Sequence, residues 1–305
     1  MSSAILPQLH GIVVLNKPAG LSSNRCLMQI KRLGQKKIGH AGTLDPMARG
    51  VLLVLLGQAT KLSSYLLQEG GKVYNGVLQL GLTTDTWDIL GTVTAKADTV
   101  SVSEETLRKE ILSFTELTEQ PVPPYSAAKC DGQPLYKLAR KGTLIERTKT
   151  IHISQAEVVS LDLPFVRFRV HCSSGTYIRS LAHSLGMRLG CGAVLTELTR
   201  EFSYPFGLNL ACELEDIVNE PGALVRALRP IREALPKWPC LEVPETWVKA
   251  VVSGQNIPCQ ALGTNDAAEH VILMHKDCEL ALATLMPSGT EPVWKVSRGL
   301  WTQEP

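Results

Sequence analysis

Apolar positions along this chain follow two rhythms, and the switches between them mark its predicted elements. Gly11-Ile12-Val13-Val14-Leu15 is a short unbroken apolar run ended by Asn16-Lys17-Pro18-Ala19-Gly20, which reads as a buried strand entering a turn. Ser22-Ser23 then offers a helix cap, and Leu27, Ile30 and Leu33 put one apolar face on the helix that follows. Residues 51–56 are apolar throughout, as in a central buried strand, and residues 59–67 read as a short helix. Residues 73–80 alternate well enough for another strand. Ser101 and Glu104 have capping-box spacing, which predicts a helix over 104–114. The Pro-rich residues 121–127 break regular structure, and two strand-like runs follow at 151–161 and 165–172. In the second run Phe165, Arg167, Arg169 and His171 alternate with Val166, Phe168, Val170 and Cys172. Ser173-Ser174-Gly175-Thr176 reads as a turn into a helix carrying Ile178, Leu181, Leu185 and Leu189 and stopping at Gly190. Residues 213–236 suggest helical segments broken by Pro221 and Pro230, and Pro236-Lys237-Trp238-Pro239 reads as a linker. Beyond it, short apolar runs at 271–274, 280–285 and 293–296 alternate with turns, as in a small β-rich module.

With 305 residues, 44% of them hydrophobic and 20% charged, the chain has room for two domains and the composition of a globular protein with a real core. The breaks place a larger unit at 1–236, with a basic insertion at about 121–150, and a small one at 240–305. A formal net charge of +2 conceals an uneven spread. The first 67 residues hold eight basic side chains against one acid, whereas residues 240–305 hold four against eight. The front of the chain is therefore where a polyanion is expected to bind. The eight cysteines stand 19 or more residues apart without zinc-finger spacing, and read as buried reduced thiols. No cationic leader precedes the first apolar run, and the longest apolar run is too short to span a bilayer. A cytoplasmic protein with no membrane contact is expected.

The single acid of that basic segment is Asp45, in Gly39-His40-Ala41-Gly42-Thr43-Leu44-Asp45-Pro46. A lone carboxylate among cations is drawn toward its ionised form, and one set in an anion-seeking surface suggests chemistry on a bound nucleic acid. A bland reading competes with it: Asp is a preferred helix cap and Pro a preferred first helical residue, so Leu44-Asp45-Pro46 could simply start a helix. Nothing local decides between them. Lys31, Arg32, Lys36 and Lys37 lie just before this loop and read as phosphate contacts. Lys129, Lys137, Arg140, Lys141, Arg147 and Lys149 face only Asp131 and Glu146, with Tyr125 and Tyr136 interleaved, as in an RNA-gripping loop or short helix. Asp85 and Asp88 give too few oxygen ligands for a metal, so residues 83–88 read as a structural loop. No Gly-rich nucleotide fingerprint is present.

The segment around Asp45, continued by Ala48-Arg49-Gly50-Val51-Leu52, resembles the central motif of the TruB family of tRNA pseudouridine synthases, of bacterial type. The usual pattern has Thr where this chain has Arg49. Four further stretches carry the resemblance: Lys17-Pro18-Ala19-Gly20-Leu21-Ser22-Ser23, the Lys-x-Tyr of Lys72 and Tyr74, the Pro-x-Tyr-Ser-Ala segment from Pro123, and Gly175-Thr176-Tyr177-Ile178-Arg179. A closing Leu-x-Arg ends it at Leu198 and Arg200, so that residues 11–205 are covered.

This resemblance implies an α+β fold, with a mixed, mostly antiparallel sheet flanked by helices and a PUA-like β-rich tail. It implies that Asp45 is the catalytic carboxylate and that Arg179 holds it ionised and aimed. Tyr74 would stack on the target uracil, Leu198 would wall the base, and Tyr177 would relay the proton lost from C5. His40 would fill the space of the flipped-out nucleotide, while Lys17, Lys36, Lys37 and Lys129 complete the substrate-binding set; because the family's Lys-Pro-x-Gly motif packs near the active site, a structural role for Lys17 stays open. The implied partner is the T-arm of tRNA, bound by a monomer without guide RNA, cofactor or metal. Two alternatives stay open: a pseudouridine synthase acting on another RNA, and a non-catalytic tRNA-binding or RNA-folding protein.

Overall fold

A computed structural model of the chain describes residues 6–68, 70–98, 102–263, 268–287 and 292–301. The first unbroken apolar run becomes β1 (Gly11–Lys17) and leads through Ser22, whose hydroxyl accepts the Arg25 N–H, into α1 (Ser23–Lys31). β2 (Ile38–Ala41) and β3 (Arg49–Leu56) follow, then a 3-10 turn at 57–62 and α2 (Ser63–Gln68), so the short helix foreseen at 59–67 is split in two. β4 (Lys72–Leu80) is succeeded by the small hairpin of β5 (Leu82–Thr84) and β6 (Val93–Lys96). α3 (Glu104–Leu112) is capped by Ser103, whose hydroxyl accepts the Thr106 N–H. The capping box read at Ser101 is thus displaced, and Ser101 itself lies outside the described residues.

The basic insertion rises from β7 (Glu119–Pro121), through the hairpin of β8 (Lys129–Cys130) and β9 (Gln133–Pro134) and the one-turn helix α4 (Leu135–Ala139), and returns at β10 (Thr148–Thr150), which pairs with β7. β11 (Ile153–Asp162), β12 (Phe165–Cys172), α5 (Ile178–Arg188) and β13 (Ala193–Ser203) complete the main body. Short pieces then close it: β14 (Phe206–Gly207), β15 (Cys212–Glu213), α6 (Leu214–Asn219), α7 (Pro221–Arg226) and β16 (Leu228–Arg229). Pro221 does not merely interrupt a helix, because it stands at the first turn of α7, where its missing N–H costs nothing.

Ten of these strands form one sheet in the order β11-β12-β4-β13-β3-β1-β15, with β2 paired to β3, β14 to β13 and β16 to β1. Its pairings are antiparallel except for β1 with β15 and β13 with β3, so the sheet is mixed and mostly antiparallel as the resemblance implies. The unbroken apolar stretch in β3 is explained by burial on both faces. Leu52 and Val54 belong to the buried cluster that also holds Leu27 and Ile30 of α1, Leu107 of α3 and Leu181 of α5. Val51, Leu53 and Leu55 face the other way, toward Leu62, Leu66 and Trp238.

A second, five-stranded sheet follows, built from β17 (Cys240–Glu242), β18 (Ile257–Pro258), β19 (His270–His275), β20 (Cys278–Met286) and β21 (Val293–Gly299), in the order β17-β19-β20-β21-β18. Between its first two strands α8 (Glu245–Val252) buries Val248 and Val251 against Val271, Leu273 and Ala283. Residues 236–239, read as a linker, are a packed joint instead. Trp238 meets Tyr65 edge-on at 5.2 Å and stacks on His270 at 4.6 Å, while Ile272, Met274 and Leu282 of the second sheet enter the same apolar cluster as β3. Of the eight cysteines, Cys26, Cys172, Cys191 and Cys259 are buried and Cys130 and Cys212 half-buried, but Cys240 and Cys278 are exposed, because each begins a strand on its solvated side. No helix among the described residues is long and apolar enough to cross a membrane.

Candidate active site

Residues 42–48 join β2 to β3, and their backbone is pinned from outside rather than wound into a helix. The Ala48 N–H donates to the Asp45 carbonyl at 3.1 Å, closing one turn around Pro46, and the chain re-enters the sheet at Arg49. Asp45 therefore caps no helix; pairing of β3 with β1, which begins at Gly50 opposite Lys17, ends the turn before one can form. The Lys-Pro-x-Gly-x-Ser-Ser string supplies the pins. The Gly20 N–H donates to the Pro46 carbonyl at 2.7 Å. The Ser23 hydroxyl donates to the Leu44 carbonyl at 3.0 Å and accepts the Leu44 N–H at 2.9 Å. Gly50 takes φ +102°, and a side chain there would run into the Arg200 backbone, so only glycine lets β3 lie against β13 at this point. Arg49, the departure from the family pattern, is exposed and donates through Nε to the Thr199 hydroxyl at 3.1 Å, on the sheet surface.

Arg179, on the first turn of α5, reaches Asp45 in a fork: Nε donates to Oδ2 at 2.8 Å and Nη2 to Oδ1 at 3.1 Å. The guanidinium side chain is only 3% exposed, whereas the Asp45 side chain is 34% exposed. The rest of the guanidinium is anchored to two separate loops, Nη1 donating to the Thr86 carbonyl at 2.8 Å and Nη2 to the Tyr125 carbonyl at 3.1 Å. Asp88 adds a second carboxylate 3.7 Å from Nε, and is itself held by the Thr86 hydroxyl and the Leu90 N–H. Burial raises the Asp88 carboxyl above its ordinary pKa. A bidentate pair of this kind fixes direction as well as charge. One carboxylate is thus aimed by a buried cation while part of it stays open to a cavity.

That cavity, of about 310 Å³, is lined by Asp45, Tyr74, Tyr177, Arg179 and Leu198, together with Thr43, Lys72, Ser126 and Arg200 among others. Its volume sits at the low end for ligand pockets. Tyr74 comes from β4 and Leu198 and Arg200 from β13, where Tyr74 lies in register with Arg200. The Tyr74 hydroxyl is 3.5 Å from Arg200 Nη1, and burial pushes its phenol pKa up. Burial likewise raises that of Tyr177, so both phenols keep their protons at neutral pH. A larger cavity of about 950 Å³ lies between the basic insertion and β5, walled by Val122, Leu144, Ile145 and Met187, but it does not contain Asp45.

The remaining predicted residues fall outside this wall. His40, on β2, is half-buried with Nδ1 unpartnered, and burial together with the nearby Arg200 lowers its pKa, which leaves the ring neutral. Lys36 and Lys37 are exposed just before β2. Lys129 is exposed immediately after Ala127 and Ala128, which do line the cavity. Lys17 needs correction: it is wholly buried, and its amine donates to the carbonyls of Pro18, Leu21 and, at 3.4 Å, Pro46. It braces the Asp45 loop and cannot touch a substrate, because the strand that buries the apolar run beside it buries the lysine too.

Burial pushes the Lys17 amine down to about 8 from 10.5. Between those values the unfolded chain binds more protons than the folded one, so this group makes stability rise with pH across that window. Lys17→Met is expected to remove that part of the pH slope and to cost about 1–3 kcal/mol through the unpaired carbonyls. It should leave the salt dependence of RNA binding unchanged, since the amine contacts no phosphate. Denaturant titrations at several pH values, alongside binding at several salt concentrations, check both halves.

Sequence reasoning passed over the carbonyls of Thr86 and Tyr125, the buried carboxylate of Asp88 and the buried cations Lys72 and Arg200. Backbone acceptors leave no mark in residue type. Lys72 and Arg200 did leave a signal, standing in the Lys-x-Tyr and Leu-x-Arg strings next to residues already singled out. Among the described residues no group of three or more His, Cys, Asp or Glu side chains could hold a metal ion.

Known proteins resemble this chain in sequence and in fold. A family model described as TruB family pseudouridylate synthase (N terminal domain) matches residues 31–178. The chain is 55% identical over 307 residues to tRNA pseudouridine synthase B of Nitratidesulfovibrio vulgaris (strain DSM 19637 / Miyazaki F), covering 98% of this chain and all of the relative. It is 41% identical to the protein of that name from Syntrophotalea carbinolica, over 92% of this chain and 93% of the relative. Among solved structures, a chain of an H/ACA RNP bound to a substrate RNA containing 2'-deoxyuridine is similar in fold, with a TM-score of 0.69 and 26% identity, covering 96% of this chain and 86% of that one.

Proposed function

The chain belongs to the TruB family of pseudouridylate synthases and is an RNA-modifying isomerase, and from that premise we propose that it converts a uridine in the T-arm of tRNA to pseudouridine, with Asp45 as its catalytic carboxylate. One observation carries the assignment: the forked Arg179–Asp45 pair opens into the cavity that Tyr74 and Leu198 wall. The reaction breaks the bond from uracil N1 to the ribose, turns the base and rejoins it through C5. A stacked uridine cannot reach a carboxylate, so the nucleotide is swung out of the RNA into the cavity. There Tyr74 stacks on the base as an aromatic platform, and Leu198 closes its other side. Asp45 acts at the sugar as nucleophile or base, aimed by the forked guanidinium of Arg179. Tyr177, in the same cavity, takes the proton shed by C5 at its oxygen as it hands its own onward. His40, neutral and just outside, fills the gap left in the RNA by stacking. Lys36, Lys37 and Lys129, with the exposed cations of the insertion, grip phosphates.

The H/ACA neighbour is part of a ribonucleoprotein, whereas the relatives are named as tRNA enzymes. We propose that this chain needs no guide RNA and works in the cytoplasm. The test is incubation of the purified protein with an unmodified tRNA transcript and, separately, with a bare T-arm stem-loop, followed by mapping of pseudouridine. Conversion of both at one position is expected. Conversion of neither, or only with an added guide, would overturn the reading.

A further inference from the structure

Two buried cations share the cavity wall with Asp45, and among the described residues neither forms an ion pair with a carboxylate. Lys72 stands two residues before Tyr74 on β4, and so on the same face of the sheet. Arg200 lies beside Tyr74 on β13. A Cβ placed on Gly42 would lie 3.4 Å from Arg200 Nη1 and 3.6 Å from Lys72 Nζ, so both cations flank one point in the cavity wall. Lys72 donates to the Ser174 hydroxyl at 2.7 Å; Arg200 donates to the carbonyls of Val51 and Gly42. Among the described residues, the charged or titratable groups that act on Lys72 are Arg200, Cys172 and Lys149, with no carboxylate. Burial and Arg200 push its amine down to about 8. A buried, unpaired cation is costly to keep, and an arriving negative charge offsets that cost.

We propose that Lys72, backed by Arg200, stabilises the negative charge that develops on the uracil ring when its bond to the ribose breaks. This rests on the pseudouridine synthase reading above. When C1'–N1 breaks, its electron pair leaves with the base and spreads over N1, O2 and O4. Asp45 then either bonds to C1' or takes the C2' proton, and both routes release the same uracil anion. Later C5 bonds to C1' as the Asp45–C1' bond breaks or as Asp45 returns the proton to C2'; C5 then sheds its proton and N1 gains one, so the reaction balances without a co-reactant. Cations beside the Tyr74 platform lower the barrier to the first bond breaking and hold the free base while it turns.

The experiment compares Lys72→Met with wild type in single turnover on two T-arm stem-loops, one with uridine and one with 5-fluorouridine at the target. Fluorine makes the departing ring anion more stable by itself, so it needs the cation less. Expected is a loss of about 10²-fold in nucleoside consumption with uridine, the scale seen on removing one donor to a developing oxyanion. With 5-fluorouridine the loss should be several-fold smaller, and stem-loop affinity should stay near wild type. Equal losses on both substrates would overturn the proposal. So would weakened affinity with an intact rate, the mark of a phosphate contact. Should K72M fail to fold, Lys72→Gln keeps a donor for Ser174 while losing the charge, and is read the same way. Wild-type conversion of the uridine stem-loop, measured in parallel, tests the underlying reading separately.

Discussion

Replacing Asp45 with asparagine is expected to abolish pseudouridine formation, by about 10⁴-fold or more, while tRNA still binds at close to wild-type affinity. The size follows from what is removed. A positioned proton-transfer group alone contributes about 10²–10⁴-fold, and if Asp45 bonds to the sugar the loss is larger still. Asparagine has nearly the same shape, so the Ala48–Asp45 turn and the pins from Gly20 and Ser23, which act on backbone, persist. What changes is the fork. An amide offers Arg179 one acceptor instead of two, and its NH2 faces a guanidinium N–H. Binding is spared because the affinity of a basic surface for RNA comes from counterion release at phosphates, and loss of a negative charge cannot weaken it. Single-turnover assays and filter binding on one preparation separate the two quantities. Turnover near the wild-type rate in Asp45→Asn would leave only a tRNA-binding protein.

The site residues were expected mainly through the family resemblance and less through residue types alone, and what stayed hidden has a physical reason. Strands were readable where apolar runs are unbroken or alternate: residues 51–56 announced a strand buried on both faces, and residues 165–172 a strand with one wet side. The Asp45 turn was ambiguous, because Asp-Pro satisfies a helix start and a single turn equally well. The decision came from β3 pairing with β1, a contact between segments that no local window contains. Lys17 looked like a ligand-binding cation for a similar reason. Its three carbonyl partners become neighbours only once the loops close around it. Trp238, flanked by prolines, had the composition of a linker, and its burial depends on Tyr65 and His270 from either side of the joint. The resemblance thus named the groups expected to carry chemistry, and topology told what they touch.

Arg179→Lys is the second substitution expected to have a large effect, because it keeps the charge and removes the aim. The native guanidinium meets both Asp45 oxygens and two backbone carbonyls at once, in one plane. An ammonium has three protons on one nitrogen and cannot span Oδ1, Oδ2 and the carbonyls of Thr86 and Tyr125 together. A buried acceptor left unpaired costs about 1–3 kcal/mol, and breaking a buried ion pair by truncating one partner costs about 3–5 kcal/mol. The expected result for lysine is a rate loss of about 10²–10³-fold, with lower stability and unchanged tRNA affinity. Arg179→Met goes further, leaving Asp45 and Asp88 in one buried region with no cation between them. Asp88 already has its carboxyl raised by burial, and loss of the arginine raises it further. A raised carboxyl means that the folded state binds more protons than the unfolded one above pH about 4, the usual carboxylate value. Stability of Arg179→Met should therefore fall as pH rises through the folded Asp88 pKa, more steeply than in wild type. Urea titrations at a series of pH values upward from about 4, the usual carboxylate value, read that slope. If Arg179→Lys turned over at the wild-type rate, a positive charge anywhere near Asp45 would suffice, and the forked geometry would have no catalytic role.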